Sequence, residues 1–241
     1  SADSPSRRIW PRVHSTLPRP SDDEPLEFLE ERRELVRVRE GIRKNADDWI
    51  RHQVLVNGRI DVLAREVLRF DIEPHHLAIM QHQSRYRDRR GCLILCARGF
   101  GKSFCATQLR ILFEILRNPN VRVIVASRAA DNAQTLANWV RQQFEGNADL
   151  IRIFGDFVGK ELWDKRRWTV SKRTEILPDP TVQVLGEDSA TASRHCDQLY
   201  VDDLVDNKNS WTPIRRKKTF EFFYKVLLPT VLANGVCYAI G

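Results

Sequence analysis

Long apolar runs are missing from this chain: nowhere in its 241 residues do the roughly 18 consecutive apolar residues needed to cross a bilayer occur. The opening stretch, SADSPSRRIWPRVHS, also lacks the apolar core of a secretory signal, so a cytoplasmic protein is expected. Glycine and proline are sparse at 11 each, which excludes a collagenous or low-complexity chain. Cysteine is scarce and odd in number, 5 residues at scattered positions (Cys92, Cys96, Cys105, Cys196, Cys237), most of them inside apolar runs. A disulfide framework is therefore disfavoured. A zinc site from Cys92, Cys96, His195 and Cys196 lacks the usual turn-borne spacing, which leaves buried thiols as the better reading. What is present is a hydrophobic share of 42% beside 29% charged residues, enough for a soluble globular protein with a real core. Lys and Arg outnumber Asp and Glu by 39 to 32, a net +7, which points to a polyanionic partner with nucleic acid as first candidate.

Residues 1–24 mix Ser, Pro, Arg and Asp without periodicity and read as a flexible arm. From Pro25 to Phe70, apolar residues three or four apart (Leu26, Leu29, Leu35, Val36) lie among dense charges, the pattern of amphipathic helices. Breaks at Asn45-Ala46-Asp47 and Asn57-Gly58 predict three short helices, forming a helical appendage over 25–70. After Arg90 the texture changes to short runs, CLILC, VRVIVAS, TVQVLG, QLYVDD and GVCYAI, that suit strands buried on both faces. Helical patterns at Lys102 to Arg117 and Ala130 to Phe144 alternate with them, which predicts an α/β core over 71–241 around a mostly parallel sheet. The stretch RRWTVSKRTEILPDPTVQVLG, broken at Pro178-Asp179-Pro180, predicts a hairpin that decorates this sheet.

The strongest chemical signal is Cys96-Ala97-Arg98-Gly99-Phe100-Gly101-Lys102-Ser103, which matches G-x-x-x-x-G-K-[ST] except that Cys96 replaces the first Gly. It follows a strand and opens a helix through Phe104. In that setting main-chain amides point at phosphates, Lys102 neutralises the β and γ oxygens, and the Ser103 hydroxyl ligates Mg²⁺. The second signal is Gln198-Leu199-Tyr200-Val201-Asp202-Asp203, an apolar strand ending in two carboxylates. Asp202 is the expected metal ligand. Asp203 stands where a base activates water, one methylene shorter than the Glu common there. ATP and Mg²⁺ are thus the expected substrate and cofactor, and hydrolysis the expected reaction.

Residues 70–241 resemble the ATPase domain of bacteriophage terminase large subunits, motors that package double-stranded DNA. The resemblance rests on four features. Arg98 lies four positions before Lys102, as in the family's R-Q-x-G-K-[ST] loop, with Gly99 in place of Gln. Pro74-His75-His76 lies upstream, where the family has an adenine-recognition segment; Gln81 and Gln83 are alternatives. Arg194, in Thr191-Ala192-Ser193-Arg194, resembles the arginine ahead of the family's acidic strand. Gly235 to Gly241 resembles the strand that leads into its coupling motif.

The resemblance implies a P-loop NTPase of the additional-strand type, with the coupling strand between the two phosphate-binding strands. It also implies a ring of subunits, portal protein and small terminase subunit as partners, and a viral protein in the host cell cytoplasm. Arg98 would pair with phosphate oxygens, and Arg194 would supply a cation to the transition state from its own subunit or a neighbour. Family members usually continue into a nuclease domain, and none of these residues forms one, so no nuclease activity is expected here. Ending at Gly241 should leave the last turn of the coupling strand poorly supported.

Basic runs at Arg85-Tyr86-Arg87-Asp88-Arg89-Arg90, Lys165-Arg166-Arg167-Trp168 and Arg215-Arg216-Lys217-Lys218 suit a phosphate backbone, with Trp168 as a stacking surface. The reading is a DNA-translocating ATPase. Its rivals are a helicase-type or remodelling ATPase, which shares both motifs, and a nucleotide-gated DNA-binding module with little turnover.

Overall fold

The structure is a computed structural model that describes residues 26–186, 194–205 and 210–241, with side chains from residue 34 onward. The expected arm over 1–24 lies outside the described residues. Helix α1 (Leu26–Leu55) leads to a short turn α2 (Ile60–Val62) that continues as a π-helical segment, Leu63–Val67. Helix α3 (Pro74–Arg85) precedes strand β1 (Gly91–Ile94). A π-helical segment, Ser103–Gln108, then runs into α4 (Leu109–Arg117). Strand β2 (Val123–Ala126), helices α5 (Ala130–Gly146) and α6 (Ala148–Phe154), and strands β3 (Arg167–Trp168), β4 (Val182–Leu185) and β5 (Cys196–Asp202) follow. Helix α7 (Pro213–Glu221) continues as π-helical Phe222–Leu227 and a 3₁₀ turn, Leu228–Thr230, into β6 (Val231–Ile240).

The strands form a sheet in the order β1-β6-β5-β2-β4-β3, parallel throughout except for β3 against β4. This is an α/β fold with an additional strand, β6, between β1 and β5. Strands β2 and β4 are buried at every position, as continuous aliphatic runs require when helices cover both faces. Val123 and Val125 point into a core shared with α1 to α6, whereas Ile124 and Ala126 point into a second core against Phe222 and Leu227.

Strand β1 departs from the expectation of burial on both faces. Its residues alternate, and Leu93 and the following Leu95 are 60% and 72% exposed. The second core is centred on β2, β4 and β5, and among the described residues no helix covers the outer face of β1.

The three short helices expected before Phe70 are instead one 30-residue helix and a separate helical run. Asn45 and Asp47 do not break α1, because tertiary contacts override their weak propensity. Asp47 pairs with Arg152 of α6, and Arg51 donates from Nε to the Ile153 carbonyl at 2.7 Å. Ile50, Val54, Leu63 and Val67 belong to the same core as the sheet residues.

The expected hairpin is present. Strand β3 lies at the sheet edge with Trp168 opposite Val182, and the Pro178–Pro180 stretch falls in the link to β4. Trp168 is no stacking surface, however: it is fully buried between Trp163 and Phe144, at ring separations of 5.1 and 6.1 Å. Alternation along the strand puts Arg167 outside and its neighbour inside.

The end of β6 is well supported, contrary to expectation. Asp203 N–H donates to the Ile240 carbonyl on one side, and Gly241 N–H donates to the Ile94 carbonyl on the other, both at 3.0 Å. Cys96 N–H donates in turn to the Gly241 carbonyl at 3.0 Å.

Candidate functional site

Strands β1, β6 and β5 run parallel and end together, so the segments that leave β1 and β5 meet at the carboxyl edge of the sheet. The segment after β1 turns through Arg98 and Gly99 and enters the helix at Lys102. Gly99 and Gly101 hold φ of 89° and 64°, a left-handed backbone that a side chain would strain. Gly101 is constrained a second time, since a Cβ there would lie 2.9 Å from His76 Nε2. The first helical amides after this turn are the unpaired donors that an anion attracts.

Asp202 closes the site from β5. It is 3% exposed, and each carboxylate oxygen accepts a hydroxyl bond: Ser103 Oγ donates to Oδ1 at 3.0 Å, and Thr107 Oγ1 donates to Oδ2 at 2.6 Å. Burial pushes the Asp202 carboxyl above the usual carboxylate range, while the two hydroxyls draw it back, the adjacent Asp203 pushes it up again and Lys102 lowers it. Asp203 adopts φ 46°, sparsely populated for a residue with a side chain. Its carboxylate lies 3.1 Å from Lys102 Nζ. The sequence-derived Lys102, Ser103, Asp202 and Asp203 thus converge on one place.

Pro74 occupies the first turn of α3, where its missing N–H costs nothing. His76 turns inward, 7% exposed, and its Nδ1 accepts the Glu73 N–H at 3.1 Å. Burial and the neighbouring His75 hold its pKa below the ordinary histidine value, so the ring is neutral near pH 7 with its proton on Nε2, the atom facing Gly101. His75 packs edge-on to Phe100 of the loop, at 5.0 Å between ring centroids. Phe104 turns away towards Phe70 and Trp139, at 4.1 and 5.3 Å.

Arg98 is exposed in the turn beside Ala97, while Cys96 is half-buried at its start. Arg194 lies away from Lys102, Ser103, Asp202 and Asp203. It precedes the first residue of β5, whereas Asp202 is the last, roughly 20 Å away along an extended strand. It lines a separate cleft with Arg128, Arg166 and Arg173. Gln83 is fully buried and donates from Nε2 to the Ala106 carbonyl at 2.7 Å, so it braces the helix from below.

Thr107 escaped sequence reasoning, although a second hydroxyl one turn after Ser103 was visible in the spacing. Arg110 and Glu114 escaped it too. Both side chains are 1% exposed and pair at 2.8 Å one turn apart on α4, the continuation of the loop helix.

Ser103 and Asp202 together present only hard oxygen donors next to the anion-binding amides. That set fits Mg²⁺, which takes one or two protein oxygens and leaves the rest of its shell to substrate phosphates and water. Among the described residues no cluster of three or more His, Cys, Asp or Glu side chains is placed to hold a metal, and the five cysteines are free thiols. No described helix is long and apolar enough to cross a membrane.

Of the basic runs, Arg87 reaches Glu114 at 3.3 Å, and Arg215, Arg216, Lys217 and Lys218 on α7 are exposed, as are Trp211 and Ile214.

No protein-family profile matches the sequence, and no curated protein matches it. Among solved structures the chain is similar to a mutant of the large terminase ATPase domain of Thermus phage P74-26, with 18% identity and a TM-score of 0.45. The similarity covers 73% of this chain and 67% of that one.

Proposed function

We propose that this chain is an ATP-hydrolysing motor domain, that of a viral terminase large subunit moving double-stranded DNA into a procapsid. The observation that carries the nucleotide half of this reading is the meeting of Ser103 with Asp202 at 3.0 Å and of Lys102 with Asp203 at 3.1 Å, across an inserted strand. The phosphates of ATP would rest on the amides from Gly99 to Ser103, with Lys102 and Arg98 pairing their oxygens. Ser103 and Asp202 would hold Mg²⁺, which supplies neutralisation of charge on the β and γ oxygens. Asp203 would leave Lys102, accept a proton from the attacking water and orient it. Pro74, His75 and His76 would border the base, and β6, bonded to Ile94 and Asp203, would carry the change in the loop to the rest of the domain.

Arg194, at the opposite end of β5 from Asp202, would serve the site of a neighbour in a ring. The exposed cations of α7 and the net charge of +7 over the whole chain support a grip on phosphate backbone without base reading. In this reading residues 25–70 are a helical unit on a core of 71–241, and portal protein and the small subunit are partners through the terminase resemblance.

Phosphate release from ATP with and without duplex DNA, run beside a strand-separation assay, tests the proposal. Magnesium-dependent release without unwinding is expected. Unwinding of the duplex would favour a helicase, and binding without release, even in assembled rings, would favour a nucleotide-gated module.

A further inference from the structure

We infer that Thr107 is a positioning residue that fixes the rotamer of Asp202 and so presents only one of its oxygens to the divalent ion, an inference that rests on the proposed nucleotide site. A threonine hydroxyl within a helix ordinarily satisfies itself on the carbonyl one turn back. Thr107 does not. Its Oγ1 crosses from the loop helix to β5 and donates to Asp202 Oδ2 at 2.6 Å, the shorter of the two bonds to that carboxylate.

The two hydroxyls that Asp202 accepts stand in different surroundings. Thr107 is 0% exposed, so its hydroxyl has no water to turn to and breaking the bond would orphan both partners. Ser103 is only half-buried, at the mouth of the loop. When a cation arrives, Ser103 Oγ and Asp202 Oδ1 are free to turn to it together, while Oδ2 stays on Thr107. Charge-assisted bonds of this length are among the stronger ones, and outer partners of metal ligands set affinity by restricting ligand motion.

The backbone around Thr107 is itself pinned. Gln83 Nε2 holds the carbonyl of Ala106, so the hydroxyl is aimed from a braced turn. The π-helical segment, Ser103–Gln108, contains both hydroxyls and places both on the β5 side.

The test compares Thr107→Val, which keeps the shape and loses the hydroxyl, with Thr107→Ser, which keeps the hydroxyl. Manganese binding is read by electron paramagnetic resonance on protein with a non-hydrolysable ATP analogue, and analogue binding without metal is read separately. Thr107→Val is expected to weaken Mn²⁺ by about 10- to 100-fold while metal-free analogue binding changes less than about 3-fold, and Thr107→Ser to restore Mn²⁺ affinity. Unchanged Mn²⁺ affinity in a folded Thr107→Val protein, or no recovery in Thr107→Ser, overturns the inference. Should the valine variant not fold, Thr107→Ala against Thr107→Ser decides it: weaker Mn²⁺ in alanine alone supports the role, and equal affinities refute it. Failure of the unsubstituted protein to take up analogue and Mn²⁺ would instead count against the nucleotide site itself.

Discussion

Asp203→Asn is expected to lower ATP turnover by about 10²- to 10⁴-fold while nucleotide affinity holds or rises. The two effects have separate causes. Loss of turnover follows from removing the exposed carboxylate beside Lys102, since Asp202 is buried and held by two hydroxyls. The gain in affinity follows from the 3.1 Å pair with Lys102, which must open before that ammonium can turn to a phosphate. An amide holds Lys102 less tightly than a carboxylate does. Single-turnover hydrolysis together with fluorescent-nucleotide titration separates the two effects. Unchanged turnover would remove Asp203 from the role of base, and weakened binding would show that its pairing with Lys102 helps nucleotide entry.

The second large effect concerns stability. Arg110 and Glu114 form a buried pair at 2.8 Å, with Ser84 Oγ accepting from Arg110 Nη1 at 3.0 Å and Arg87 reaching Glu114 at 3.3 Å. Burial opposes the charge on Arg110, and Glu114 together with Tyr200 and Tyr238 outweighs it, so its pKa is raised overall. Breaking such a pair costs about 3–5 kcal/mol because one charge is stranded, whereas replacing both partners by apolar groups is close to neutral. Glu114→Leu leaves the buried Arg110 guanidinium with the Ser84 hydroxyl but without its paired carboxylate. Arg110→Met leaves Glu114 with Arg87 and is the milder change.

For a chain of this size 1 kcal/mol moves Tm by about 2–4 °C, so Glu114→Leu should lower Tm by roughly 6–20 °C. The Arg110→Met/Glu114→Leu double variant should recover most of that loss. Thermal unfolding followed by circular dichroism checks this, and losses that simply add in the double variant would contradict it.

Local signals carried much of the site. The loop from Cys96 to Ser103 follows a strand and opens a helix as the motif demands, and Asp202 ends an apolar strand. Each is a matter of neighbours in sequence. Where reasoning failed, a distant contact decided the outcome. Asp47 reads as a helix break until Arg152 is brought beside it, and Trp168 reads as part of a basic surface run until Phe144 and Trp163 enclose it. Arg110 and Glu114 look like the polar face of an amphipathic helix and are in fact buried against one another. Thr107 is silent without the strand it bonds. Arg194, which the resemblance assigns to the site of its own subunit or of a neighbour, lies at the opposite end of β5 from Asp202, a placement that only the extended strand reveals.

Equilibrium binding of ATP to the folded chain, with and without magnesium and beside Lys102→Ala, tests the central claim most directly. Uptake that strengthens with magnesium and falls by about 10- to 100-fold in Lys102→Ala is the predicted result. A native sample that takes up no ATP at millimolar concentration, or binds it equally well without Lys102, would contradict it.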